Sequence, residues 1–133
     1  MIQILQKRRN GFTLVEIMIV VAIIALLAAI AVPNFLRARK RSQATRMLED
    51  LRVIDSAMDQ YAIETNKRSG LNPSFNDLKN YMKTGTVLYS GSGYDMFGNN
   101  YGPFTVDSIP KISDSTYEVL SDVTDLSFWS PFR

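Results

Sequence analysis

The chain has 133 residues, 46% of them apolar, and a formal net charge of +2. It contains no cysteine and no histidine, which excludes a disulfide framework, thiolate or imidazole metal sites, and catalysis by Cys-His or Ser-His pairs. The positive excess lies in Lys7, Arg8 and Arg9: without residues 1–11 the 15 basic side chains fall to 12, against 13 acidic, so the basicity gives no support for a nucleic-acid partner.

After that basic cluster comes an apolar run from Phe12 to Val32 whose only polar side chains are Thr13 and Glu16. At ~1.5 Å per residue a helix over this run is about 31 Å long, enough to cross a hydrocarbon core of ~30 Å. A carboxylate in such a span costs ~2.5–3.5 kcal/mol on insertion scales and normally has a functional partner. Three readings of residues 1–33 compete. A secretory signal would be cut after the small residues Ala29 and Ala31, but it would carry an acid in its apolar region. A plain anchor accounts for the length and leaves Glu16 without a purpose, beyond snorkelling to the headgroups. The cations flanking the span, Lys7, Arg8 and Arg9 against Arg37, Arg39, Lys40 and Arg41, do not decide its orientation by count.

The third reading accounts for more of the residues. The stretch KRRNGFTLVEIMIVVAIIALLAAIAVPNF resembles the N-terminus of the type IV pilin and type II secretion pseudopilin family. The matching residues are Lys7, Arg8, Arg9, Gly11, Phe12, Thr13, Leu14, Glu16 and Pro33. The resemblance implies that a prepilin peptidase cuts between Gly11 and Phe12 and that the new amine of Phe12 is N-methylated. It further implies that the Glu16 carboxylate pairs with the Phe12 amine of a neighbouring subunit. Such a pair is strong in low dielectric only when its geometry is met, so it would set the register between otherwise slippery apolar helices. The leader would lie in the cytoplasm and the C-terminal part outside it.

Pro33 lacks an amide hydrogen and is expected to kink the helix. Beyond it, Ala44, Met47, Leu48, Leu51, Ile54, Ala57, Met58 and Tyr61 recur at steps of three and four, an apolar stripe of helical period. The pattern predicts a helix continuing to about residue 65, roughly 80 Å from Thr13. The basic group FLRARKRSQ is expected to lie at the membrane surface, either solvated or paired with acidic headgroups or with the acidic Asp107–Asp125 stretch of a neighbour.

From residue 67 Gly, Asn, Ser and Pro become frequent. Ser74 with Asp77 suggests a capping box, placing Phe75, Leu78 and Met82 inward on a short helix. TVLYS, YGPFTV and TYEVL are rich in β-branched and aromatic residues and are separated by the turns SGSG and FGNN, which predicts three or four strands. The expected fold is therefore α+β and pilin-like: a long N-terminal helix, transmembrane in its first half and amphipathic in its second, packed on a small antiparallel β-sheet. The expected organisation is a cleaved leader (1–11), a transmembrane and filament-core helix (12–33), its amphipathic continuation (34–66), and a globular head (67–133).

YDMFGNNYG partly matches a stretch of major pseudopilins, through Asp95, Phe97, Gly98, Asn99 and Tyr101. A turn at Gly98 and Asn99, with Phe97 and Tyr101 packed, explains it equally well. Major pseudopilins often hold calcium in a late loop, for which Asp114, Asp122 and Asp125 are the candidates here, although an exposed acidic loop is the simpler reading. The terminal FWSPF reads as core or as an intersubunit anchor. No cofactor is expected otherwise. No nucleophile–base pair is recognisable, so the expectation is a structural protein and not an enzyme. Its partners would be copies of itself in a helical filament, membrane lipid, the prepilin peptidase, an assembly ATPase and an inner-membrane platform protein. The alternative is a membrane-anchored or secreted binding domain that uses the span only as tether or signal.

Overall fold

The computed structural model describes residues 10–66 and 68–133. Five helices follow in chain order: α1 (Leu14–Thr65), α2 (Phe75–Lys79), α3 (Val87–Ser90), α4 (Asp114–Leu120) and α5 (Leu126–Trp129). The chain divides after Leu36 into two units, and α1 crosses the division.

In the first unit the helix exposes its whole circumference, and its apolar window has no buried residue. This suits lipid, where a helix satisfies its own backbone groups and needs no polar face. The helix runs through Pro33 without interruption, although proline removes one rung of the backbone ladder.

The second unit, Arg37–Arg133, has its own core. On α1 the buried residues are Ala44, Met47, Leu48, Leu51, Ile54, Ala57 and Met58, the stripe that the periodicity predicts, with Tyr61 partly buried at its end. Phe75 and Leu78 of α2, Met82, Leu88 of α3, Tyr101, Phe104, Ile112, Leu120 of α4, Trp129 of α5 and Phe132 join the same cluster. The Ser74–Asp77 capping box forms: the Ser74 hydroxyl accepts from the Asp77 amide at 3.3 Å, and the Ser74 amide donates to the Asp77 carboxylate at 2.9 Å. Gly93 is in the left-handed region (φ 86°), where a Cβ would meet the Phe75 ring at 2.9 Å. The SGSG turn thus closes directly over α2.

The expected antiparallel sheet does not form. Among the described residues there is no strand, only an isolated antiparallel bridge between Tyr94 and Asn100. Two of the three expected strands are helical because a cap starts each. The Thr86 hydroxyl accepts from the Tyr89 amide, turning VLYS into α3, and the Ser113 hydroxyl accepts from the Thr116 amide, so TYEVL lies in α4. A local cap outweighs the weak strand preference of four or five β-branched and aromatic residues. YGPFTV is irregular, with a cis Gly102–Pro103 bond. Its backbone is satisfied by scattered bonds, such as Val106 to the Leu71 carbonyl at 2.8 Å and Tyr101 to the Gly93 carbonyl at 3.0 Å.

Because the core lies wholly beyond Arg37, a chain truncated to begin there is expected to be soluble and folded, with a far-ultraviolet circular dichroism spectrum dominated by helix. Aggregation or an unfolded spectrum would show that the apolar segment before Arg37 is needed for the core.

Candidate assembly site

The proposed cleavage junction lies outside the helix. Asn10 to Thr13 have no regular structure, and Phe12 is 85% exposed. Lys7, Arg8 and Arg9 lie outside the described residues. Immediately after the junction, Thr13 and Glu16 hold each other: the Thr13 amide donates to Glu16 Oε2 at 2.9 Å, and the Glu16 amide donates to Thr13 Oγ1 at 3.2 Å. This is a capping box, in which two orphan donors of the first turn are satisfied reciprocally. A carboxylate there also faces the positive end of the helix dipole.

Glu16 therefore has a local purpose that its place in an apolar run conceals. The signal was present as T-x-x-E before a hydrophobic run. Only one carboxylate oxygen is used; Oε1 makes no hydrogen bond among the described residues. A second donor near the helix start thus has an acceptor waiting.

Asp114, Asp122 and Asp125 are not brought together as a calcium site, and no group of three metal-ligating side chains forms among the described residues. Each carboxylate is spent elsewhere. Asp114 pairs with the Arg133 guanidinium. Asp122 accepts from Lys40 Nζ at 2.9 Å, a hydrogen bond that holds its carboxyl below the usual range. Asp125 caps α5 through the Phe128 amide at 3.1 Å and accepts from the Ser127 hydroxyl at 2.7 Å, and that hydroxyl is the main reason its carboxyl is also held low. Lys40 also donates to the Val119 carbonyl at 3.3 Å. Lys40 in the basic turn of α1 thus pairs with the late loop of its own chain.

A polar network missed at the sequence level organises YDMFGNNYG. Asp95, nearly buried, accepts from the amides of Phe97 at 2.9 Å and Asn99 at 2.8 Å and from the Thr116 hydroxyl. Asn99 and Ser113 both donate to Thr116 at 2.8 Å. This ties the turn to α4. Tyr101 packs in the core as expected and donates to Asp50 at 3.1 Å, whereas Phe97 stays 37% exposed. Burial pushes both the Tyr101 hydroxyl and the Asp50 carboxyl upward.

Comparison with known proteins adds a second line of observation. The family profile described as the prokaryotic N-terminal methylation motif matches residues 6–32. The type II secretion system core protein G of Aeromonas hydrophila is 28% identical over 117 residues, covering 81% of this chain and 82% of that protein. Residues 6–32 thus carry a prepilin-type N-terminal motif, and the chain is similar to type II secretion pseudopilins and type IV pilins. Pilins match this chain over a shorter stretch. The type IV major pilin of Myxococcus xanthus is 44% identical over 62 residues, 47% of this chain and 28% of that protein. The type IV wide pilus major component of Thermus thermophilus is 43% identical over 60 residues, 45% of this chain and 46% of that protein. The chain thus covers less than half of either pilin. No solved structure matches this chain.

Proposed function

We propose that this chain is a structural subunit of a pilus-like filament or secretion pseudopilus, anchored in the inner membrane by its apolar helix before assembly. The observation that carries the reading is the apolar helix whose start, the Thr13–Glu16 cap, lies directly beside an exposed Gly11–Phe12 junction. A surface of that size needs lipid or other copies of itself. In this reading a prepilin peptidase cuts after Gly11, Phe12 is N-methylated, and its amine meets the free Glu16 oxygen of a neighbour. Pro33 is the weak rung at which the helix bends during packing. The C-terminal unit lies outside the cytoplasm, and an assembly ATPase and a platform protein drive extraction from the membrane.

Intact-mass measurement of the membrane-extracted protein tests the reading. A chain starting at methylated Phe12 is expected. A start at Val32 would make it a secreted protein, and an uncut chain starting at Met1 would make the span a tether.

A further inference from the structure

Beyond the basic turn, α1 keeps one face that nothing covers among the described residues. Val53, Ser56, Asp59, Gln60 and Ile63 fall on it at helical spacing, and all are exposed. On its flank a shallow concavity is lined by Asp55, Asp59, Asp107 and Ile109. These three carboxylates make no ion pair among the described residues. Burial and the neighbouring Asp59 push the Asp55 carboxyl upward, so a cation brought in from outside would relieve the crowding.

The same helix carries the complement. Lys40 is taken by Asp122, and Arg37 and Arg41 line the surface beside Asp122 and Val123. Arg39 is exposed and has no ion pair or hydrogen bond among the described residues. It cannot reach Asp59 of its own chain, because 20 residues of one helix separate them by about 30 Å.

We propose that the Val53–Ile63 face of α1, with its flank of Asp55, Asp59 and Asp107, docks the Arg39-bearing turn of a second copy displaced by about 30 Å along the helix. Donor turn and acceptor face lie on the same chain at different heights. With both copies pointing the same way, as the filament reading requires, the contact is heterologous, and such a contact repeats into an open filament, whereas antiparallel copies would close a dimer. The exposed Val53, Ile63 and Ile109 side chains supply apolar area around the charges. This inference rests on the filament reading and deepens it by naming a surface.

Two measurements on full-length chain test it. Arg39→Asp and Asp59→Arg are each expected to lower sheared filament yield by about tenfold, since like charges then face each other, and the double variant to recover to within about threefold of wild type. Because the chain has no cysteine, Arg39→Cys combined with Asp59→Cys gives a clean cross-linking pair. A thiol-specific linker of about 10 Å cannot span the ~30 Å within one chain, so a ladder of linked copies, with the 39–59 linkage identified by mass spectrometry, is expected only from the double-cysteine filaments. Filaments that form without the 39–59 linkage, or a charge-exchanged double variant no better than the singles, would overturn the surface and leave the filament reading standing. A wild-type chain that forms no filaments would sink the filament reading, and this surface with it.

Discussion

Glu16→Gln is expected to cut filament yield at least tenfold (about 1.4 kcal/mol or more per contact) while the membrane pool stays level or rises. Three effects separate cleanly in this variant. Glutamine at the third helical position can still accept from the Thr13 amide, so the capping box and the helix start survive. The cost of placing a charge in the span, ~2.5–3.5 kcal/mol, is removed, which favours insertion. The charge that a neighbour's amine would meet is gone. A side chain whose work is local capping, or one that snorkels to the headgroups, predicts normal assembly. Only a register role predicts easier insertion together with failed assembly. Glu16→Ala is the companion: it removes cap and charge together and should also weaken the first helical turn. Equal filament yields for Glu16→Gln and wild type at equal membrane pools would leave the cap as the whole explanation of Glu16.

Trp129→Ala is expected to destabilise the C-terminal unit by ~3–5 kcal/mol. The ring is fully buried, its edge meets Phe128 at a centroid distance of 5.0 Å, and its indole N–H donates to the Thr124 hydroxyl at 3.0 Å. That hydroxyl donates to the Leu120 carbonyl at the end of α4. The indole thus fills the core and fastens the turn between α4 and α5. Its removal leaves a large cavity and takes away the donor to Thr124. Small domains are stable by only about 5–15 kcal/mol, and a unit of this size falls toward the low end. Most of its stability should therefore be lost. Leu126→Ala, at a side chain 61% exposed in the same helix, should change stability by no more than about 0.5 kcal/mol. Chemical denaturation of the chain beginning at Arg37 measures both. Similar values for the two variants would mean that the C-terminal segment is a cover and not part of the core.

The long helix was legible because its signal is repetitive. From Ala44 to Met58 each buried residue recurs at the helical period, and the sum of many weak preferences leaves little choice. The N-terminal segment was legible for the opposite reason, as a dense local pattern around Gly11, Phe12 and Glu16. The sheet was misread where signals were short. TVLYS and TYEVL have strand-like composition, but Thr86 and Ser113 stand at capping positions just before the residues that turn helical. Reading caps before composition would have corrected both. The Lys40–Asp122 pair spans 82 residues, and no local pattern announces a contact of that kind. That pair, with Arg133 on Asp114, is also why three nearby carboxylates resembled a cation site: the charges are there, and the counter-charges come from distant parts of the chain.

The isolated Tyr94–Asn100 bridge has a consequence for copies of this chain packed side by side. An exposed strand edge presents a row of unpaired amides and carbonyls that recruits further strands without regard to side chains. Among the described residues this chain has no such row. Its capped helices and single bonds spend their backbone groups internally, one or two at a time. Copies that meet through the described residues therefore do so without strand pairing, and side chains carry the shape and charge that distinguish a correct neighbour from a wrong one. Without a strand edge among the described residues, crowding finds no template there for edge-to-edge pairing.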